Sequence, residues 1–232
     1  MEVIRNKNAK QLAGRALVAL FGEGESKPVL FLSSGGSVLG ILDEVDKSVF
    51  GPNFTIGVLD ERFSMDTAAN NFLQLKGKLG QVAVQNWIDS VPKENDTLEF
   101  MVSRMEGCWH KWRSSNPSGG VIVTVGMGAD GHVAGIFPYN NIPELSTMQP
   151  RRLHIARWVA GYDAGKATQF PLRITATFEF LRSQVDSAII YISGDEKRQA
   201  LERVLADNGN LIETPARIFR EMKNVKIFTD IE

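Results

Sequence analysis

Residues 121–132 read VIVTVGMGADGH, so a short apolar run passes directly into a glycine-rich turn. A continuous apolar run bounded by turn residues predicts a strand that is buried on both faces, as in a parallel sheet. In an open α/β sheet, ligands gather beyond the carboxyl ends of the strands. We therefore expect a binding site to begin in the turn that follows this strand.

Other segments repeat the pattern of an apolar strand followed by an amphipathic helix. Strands are predicted at 28–32, 54–59, 82–87, 121–125, 188–192 and 225–228, and helices at 9–21, 38–45, 71–75, 97–112 and 197–205. Ser37 is expected to cap the helix at 38–45. This alternation predicts an α/β fold, with a single domain over residues 1–232, three αβα layers and a mostly parallel, Rossmann-like sheet.

The composition and charge exclude several classes of partner. The chain of 232 residues carries 26 Lys and Arg against 27 Asp and Glu, so its net charge of −1 gives no global attraction for nucleic acid or an anionic membrane. No apolar stretch approaches the roughly 20 residues that span a bilayer, and the first residues lack a secretory pattern. The one cysteine, Cys108, cannot form an internal disulfide. We expect a cytoplasmic monomer or small homo-oligomer.

The turn after the strand at 28–32 has the composition of an anion-binding loop. It contains Ser34, Gly35, Gly36 and Ser37, and the two glycines allow the backbone to turn tightly. The free N–H groups at the start of the following helix can then bind phosphate. An ordinary strand-to-helix turn is the alternative interpretation.

Three consecutive charged residues, Asp60, Glu61 and Arg62, follow the strand at 54–59. The planar guanidinium of Arg62 can hold a phosphate through paired donors, with an acidic neighbour orienting it. A solvated loop with a local ion pair is the alternative interpretation of this segment.

The turn at 126–132 supplies a candidate acid–base group. Its glycine spacing matches G-x-G-x-x-G, but Phe137 and Pro138 follow too soon for the helix and second strand of a dinucleotide-binding unit. His132 comes directly after the last glycine, and histidine is the side chain best suited to proton transfer at neutral pH. Asp130 can fix the tautomer of the imidazole, and the glycines leave room for a substrate.

The remaining chemically active residues predict no further site. His110 and His154 are expected to be structural, and Cys108 is expected to be a small buried residue of the helix at 97–112. The sequence contains no clustered metal ligands, no G-x-S-x-G nucleophile elbow and no Walker A loop, because Lys166 is followed by alanine and the glycine spacing is wrong. We expect neither a metal nor an organic cofactor.

Taken in order, these segments resemble the 6-phosphogluconolactonase family, which is related to the glucosamine-6-phosphate deaminases. The matching motifs are the serine and double-glycine loop at 34–37, D-E-R at 60–62, half of an S-N pair at 70–71, G-M-G-x-D-G-H at 126–132, R-I-T at 173–175 and G-x-E-K at 194–197. The resemblance implies hydrolysis of 6-phospho-D-glucono-1,5-lactone to 6-phosphogluconate, in the oxidative pentose phosphate pathway, without a cofactor.

The resemblance also implies a role for individual residues. His132 would be the general base that activates water, Asp130 would orient it, and the glycine-rich backbone would stabilise the oxyanion. The residues expected to bind the sugar phosphate are Ser34, Gly35, Gly36, Ser37, Asp60, Arg62, Asn71, Gly128, Gly131, Lys166 and Arg173.

The chain departs from the family pattern near the site. Val133 and Gly135 replace two hydroxyl residues after the histidine, and Thr168 replaces a lysine, for which Lys166 is the expected substitute. Two alternative functions follow. One is a glucosamine-6-phosphate deaminase or isomerase, although the carboxylate that those enzymes carry soon after the histidine is absent until Glu144. The other is a non-catalytic sugar-phosphate-binding paralogue.

Overall fold

Ten strands and five α-helices occur in the residues that the computed structural model describes, which are 1–22, 27–82, 84, 86–138 and 157–232. The strands are β1 (Glu2–Arg5), β2 (Val29–Ser33), β3 (Phe54–Val58), β4 (Asp60–Arg62), β5 (Asn86–Trp87), β6 (Gly120–Val125), β7 (Val159–Asp163), β8 (Leu172–Ala176), β9 (Ser187–Ile192) and β10 (Val225–Thr229). The helices are α1 (Ala9–Gly22), α2 (Asn71–Leu79), α3 (Leu98–Ser115), α4 (Phe178–Ser183) and α5 (Arg198–Leu205). None of these five helices has the length and apolar character needed to cross a membrane.

Seven strands form a central sheet in the order β1-β10-β9-β6-β2-β3-β5, and every neighbouring pair in it is parallel. The prediction of a mostly parallel sheet is confirmed. Because the carboxyl ends of parallel strands share one edge, the turns after β2, β3, β6 and β9 meet there. These are the turns from which most of the predicted site residues come.

Alternate residues of the central strands face two separate cores. Leu30 and Leu32 of β2 pack in the same core as Trp109 of α3, whereas Phe31 packs in the other core with Leu17 of α1. This alternation follows from the two-residue period of a strand. Helices cover both faces of the sheet, so the prediction of three αβα layers in a single domain is confirmed.

Strands β4, β8 and β7 form a second, antiparallel sheet that was not predicted. Leu59 connects the two sheets, since its N–H donates to the Ser33 carbonyl at 3.1 Å and its carbonyl accepts from the Ala176 N–H at 2.8 Å. The interpretation of Asp60–Arg62 as a solvated loop is wrong, because these residues form β4 and the first two are 5% and 0% exposed. A strand of three residues is too short to show a hydrophobic period.

Other local predictions differ from the structure. The segment after β2 is a 3₁₀ helix over Gly36–Glu44, and its N-cap position is Gly35 rather than Ser37. Gly36, the first residue of this helix, has a φ of 76°. Of the residues described within the strand predicted at 82–87, Asn86–Trp87 form a strand and residues 82 and 84 do not. His154 and Glu144 lie outside the described residues, as do residues 83 and 85.

A cluster of aromatic rings joins α1 to the central sheet. Phe21 lies 5.3 Å from Phe31, 5.4 Å from Phe50 and 5.0 Å from Phe54 between ring centroids, and the rings meet edge to face. This geometry adds electrostatic attraction to the burial of apolar surface.

We expect Phe31→Ala to destabilise the protein by about 3–5 kcal/mol, because it leaves a cavity in this aromatic cluster. Phe31 is 0% exposed, whereas Phe100 on α3 is 54% exposed and provides a matched control. Phe100→Ala should change the free energy of unfolding by no more than about 0.5 kcal/mol. Urea denaturation of both variants makes the comparison, and equal losses would contradict the assignment of Phe31 to the core.

Candidate functional site

A cleft of about 610 Å³ lies at the edge of the central sheet where the strand ends meet. Its lining consists of Ser34, Gly35, Gly36, Ser37, Asp60, Arg62, Asn71, Gly126, Met127, Gly128, Ala129, Asp130, His132, Ala134, Gly135, Phe137, Thr168, Arg173 and Lys197. The structure therefore brings together all but two of the predicted site residues. Lys166 and Gly131 are not among the lining residues.

His132 and Asp130 form a hydrogen-bonded pair in this cleft. The distance from His132 Nδ1 to Asp130 Oδ1 is 2.7 Å, and the same carboxylate oxygen accepts the His132 backbone N–H at 3.0 Å. Gly131 lies between them with a φ of 91°, which lets the two side chains point the same way. Burial opposes ionisation of the Asp130 carboxyl, but its hydrogen bonds and charge interaction with His132 hold the pKa below its usual range.

Gly128 is required by the position of the imidazole. A Cβ atom at residue 128 would overlap with His132 Nδ1 and would lie 2.7 Å from Asp130 Oδ1. The Gly128 N–H donates to the His132 carbonyl and the Gly131 N–H donates to the Gly128 carbonyl, each at 3.0 Å. These two N–H groups are therefore engaged within the turn, although Gly128 and Gly131 were both predicted to bind the sugar phosphate.

Arg62 and Arg173 are direct cross-strand partners in the antiparallel pair of β4 and β8. Arg62 Nη1 donates to the Ala69 carbonyl at 2.8 Å, and Arg173 Nη2 donates to Thr168 Oγ1 at 2.7 Å. The Nε atom of each arginine is buried without a hydrogen-bond partner among the described residues. Like charges placed opposite one another destabilise a sheet, so this pair is suited to an anion that both can contact.

Asp60 and Asn71 form a wall of the cleft that offers acceptor oxygens. Asn71 Nδ2 donates to the Asp60 carbonyl at 2.8 Å and to Asp60 Oδ2 at 3.2 Å. Asp60 Oδ1 and Asn71 Oδ1 are both buried without a hydrogen-bond partner in the described part of the chain. Gly35 makes this arrangement possible, because a Cβ at residue 35 would overlap with Asn71 Oδ1.

Burial raises the pKa of the Asp60 carboxyl, and Arg173 and then Arg62 oppose that shift. The Ser34 hydroxyl also lowers the pKa of Asp60, although Ser34 Oγ has no partner with the geometry of a hydrogen bond. Burial likewise lowers the pKa of the Arg173 guanidinium, which Asp60 opposes. These groups form a network of charges in the buried part of the cleft.

Glu61 stabilises the wall formed by Asp60 and Asn71, although it does not itself line the cleft. It is 0% exposed, and its carboxylate accepts hydrogen bonds from the N–H groups of Arg62, Asn71 and Phe72 and from Ser90 Oγ, at 2.7–3.0 Å. Burial raises the pKa of Glu61 to about 7, although the four donors oppose the shift. Because Glu61 does not line the cleft, we interpret it as structural.

Two lysines, Lys166 and Lys197, differ in their position relative to the cleft. Lys166 is exposed on a 3₁₀ turn over Gly165–Ala167 and does not line the cleft, although Thr168 does. Lys197 follows β9, is half-buried and lines the cleft. The sequence signal for Lys197 was its position in the turn after a buried strand, and it was not selected as a binding residue.

The other candidate groups lie away from the cleft. His110 stacks on Trp158 with ring centroids 3.7 Å apart, and its Nε2 lies 3.2 Å from Glu106 Oε1. Cys108 is half-buried rather than buried, because its helix position lies at the margin of the core. In the described ranges, no three His, Cys, Asp or Glu side chains are grouped to hold a metal ion.

The chain is similar in sequence to curated proteins and similar in fold to solved structures. The chain is 31% identical over 112 residues to a 6-phosphogluconolactonase of Borreliella burgdorferi, an alignment that covers 47% of this chain and 42% of that protein. A 6-phosphogluconolactonase from Plasmodium vivax has the same fold, with a TM-score of 0.74, 16% identity and coverage of 98% of this chain and 88% of that one. A monomeric glucosamine-6-phosphate deaminase also has a TM-score of 0.74, with 19% identity and coverage of 99% and 97%.

The curated relative is aligned over less than half of its length, and the structural likeness shows the fold alone. The two solved structures carry different activities on one architecture, so overall shape does not distinguish them. The family model described as glucosamine-6-phosphate isomerases/6-phosphogluconolactonase matches residues 7–228, almost the whole chain. With its cleft, its D-E-R strand and its G-M-G-x-D-G-H turn, the chain belongs to this family.

Proposed function

We propose that the protein hydrolyses 6-phospho-D-glucono-1,5-lactone to 6-phosphogluconate. The observation that carries this proposal is the presence, in one cleft, of the His132–Asp130 pair and the opposed Arg62–Arg173 pair. The first pair is suited to activating water and the second to binding a phosphate. The lactonase named among the sequence relatives supports the same activity.

His132 acts as the general base in this proposal. The Asp130 carboxylate can only accept a hydrogen bond, so His132 Nδ1 carries the proton and Nε2 is free to take one from water. The water oxygen attacks the lactone carbonyl carbon and forms a tetrahedral oxyanion. When the carbonyl re-forms, the bond from that carbon to the ring oxygen breaks, and Nε2 returns its proton to the ring oxygen.

The arginine pair anchors the phosphate in this proposal. Arg62 and Arg173 each have an Nε that finds no hydrogen-bond partner in the described ranges, and the half-buried Lys197 adds a third cation. The loop of Ser34, Gly35, Gly36 and Ser37 lines the same cleft, beside the start of its 3₁₀ helix. Gly128 and Gly131 shape the turn instead of contacting the anion. Binding the phosphate at a fixed place holds the lactone in the geometry for attack.

The wall of acceptors is suited to the sugar hydroxyls. Asp60 Oδ1 and Asn71 Oδ1 are buried oxygens that have no partner among the described residues, and an unmet acceptor in a buried position costs free energy until a donor arrives. Sugar hydroxyl groups are such donors, and Ser34 Oγ can exchange a hydrogen bond with them. A small sugar-phosphate lactone can therefore place its phosphate at the cations and its hydroxyl groups at the buried acceptors.

The cellular setting is also part of the proposal. The single cysteine, Cys108, supports a cytoplasmic location, because one thiol cannot form an internal disulfide. We further propose a monomer or a small homo-oligomer. The lining residues that the structure describes all come from one chain, which supports activity of the monomer.

A coupled lactonase assay tests the activity, with His132→Ala as the diagnostic variant. Loss of the general base should lower kcat by about 10²–10⁴-fold relative to wild type, while binding of 6-phosphogluconate is retained. His110→Ala is the matched control, because His110 stacks on Trp158 outside the cleft. Wild-type rates no higher than spontaneous lactone opening would contradict the proposal, and release of ammonia from glucosamine 6-phosphate would favour the deaminase.

Removing one cation of the phosphate site should weaken substrate binding more than the chemical step. We expect Arg62→Ala and Lys197→Ala each to raise KM by about 10–100-fold, which corresponds to the loss of a charge-assisted hydrogen bond. Lys166→Ala is the control, and it should leave KM unchanged because Lys166 does not line the cleft. A raised KM for Lys166→Ala alone would transfer the phosphate role to that lysine.

The turn at Gly128 tolerates no side chain if His132 is to keep its place. We expect Gly128→Ala to lower kcat by about 10²-fold, because the added methyl group displaces the imidazole from Asp130. Gly126→Ala is the control from the same turn, since a Cβ there would lie 3.7 Å from Val38 Cβ, an ordinary contact. Steady-state kinetics compare the two, and similar losses would count against a steric role for Gly128.

A further inference from the structure

Phe137 contacts two groups of the cleft that the proposed function assigns to different tasks. Its ring centroid lies 4.7 Å from that of His132, with the ring planes inclined by 33°. The Arg173 guanidinium lies over the same ring, with Cζ 5.5 Å from the centroid. One aromatic side chain therefore contacts both the imidazole and a cation of the anion site.

The backbone that carries Phe137 is held tightly. Val133 and Ile136 exchange hydrogen bonds of 3.1 and 2.7 Å, and the two residues between them, Ala134 and Gly135, have φ values of 46° and 70°. These are the features of a two-residue hairpin turn with both central residues in the left-handed region. The turn reverses the chain directly after His132, so that Phe137 returns to the imidazole.

The small antiparallel sheet fixes this hairpin turn in place. Thr175 Oγ1 of β8 donates to the Ala134 carbonyl at 2.5 Å, and the Tyr162 hydroxyl of β7 donates to the Gly135 carbonyl. Phe137 itself packs against Tyr162 and Ala164. The ring is therefore restrained by its backbone and by its neighbours, and it can serve as a rigid contact for a mobile side chain.

His132 needs such a contact because its other restraints are incomplete. Its side chain is 37% exposed, and the side-chain hydrogen bond that holds the imidazole is to Asp130 at 2.7 Å. Gly128 lies next to the imidazole, and it has no Cβ atom that could restrain the ring. A single hydrogen bond leaves an imidazole free to tilt, and a shift of about 1 Å at a reacting group costs about 10²-fold in rate.

We propose that Phe137 is a positioning residue that holds the imidazole of His132 against Asp130 and faces it towards the substrate held by Arg173. This inference rests on the proposed lactonase function, in which His132 activates water. The attraction between two aromatic rings in contact favours one orientation of the imidazole. Phe137 itself takes no part in proton transfer.

The test compares a variant without the ring, Phe137→Leu, with a variant that keeps it, Phe137→Tyr. We expect Phe137→Leu to lower kcat for lactone hydrolysis by about 10–100-fold. The dissociation constant for 6-phosphogluconate should stay within about threefold of wild type, and Phe137→Tyr should restore most of the kcat. Phe137→Met is a second variant without the ring, should leucine prevent folding.

Trp158→Leu provides the matched control, because it removes the ring that stacks on His110 outside the cleft and should leave kcat unchanged. An unchanged kcat in folded Phe137→Leu, or an equal loss in Phe137→Tyr, would overturn the positioning role. A loss of product affinity with kcat intact would overturn it as well, because the ring would then serve Arg173 alone. Failure of the proposed function is distinguishable, since wild type itself would then show no catalysed hydrolysis.

Discussion

The buried carboxylate of Glu61 is the interaction on which the geometry of the cleft depends. Moving a carboxylate out of water is costly unless donors replace the lost hydration, and Glu61 receives four of them at 2.7–3.0 Å. The donors come from β4, from the first turn of α2 and from Ser90. The carboxylate thus ties β4 to α2, and these two elements carry Asp60, Arg62 and Asn71 into the cleft.

The second sheet is the part of the fold that makes the site specific. It places Arg62 opposite Arg173, an arrangement that opposes folding through like-charge repulsion and through the burial of Arg173, which is 5% exposed. It also holds the hairpin turn after His132 through Thr175 and Tyr162. In the proposed function, an anionic ligand with hydroxyl groups contacts this arginine pair and the buried acceptors that have no partner among the described residues.

Some elements were predictable from the sequence because their signals are local. The apolar runs of β2, β3, β6, β9 and β10 are buried on both faces, and the rule that ligands lie beyond strand ends placed His132, Asp130 and the loop at 34–37 correctly in the cleft. Strands β4, β7 and β8 were missed, since short antiparallel strands paired over long sequence separations leave no period to detect. Lys166 was predicted as the substitute for a family lysine at the position of Thr168, and Lys197 was not selected as a binding residue.

The sequence by itself determined the buried strands β2, β3, β6, β9 and β10, the parallel sheet they form and the glycine turn that presents His132, because each depends on residues that are neighbours in the chain. Only the tertiary structure decided that Arg62 faces Arg173, that Asn71 lies on Gly35, and that Phe137 contacts His132 and Arg173 together. Apart from the contact between Phe137 and His132, these contacts join residues that are distant in sequence. The distances between the residues in contact depend on how the two sheets pack together, and no local sequence pattern encodes that packing.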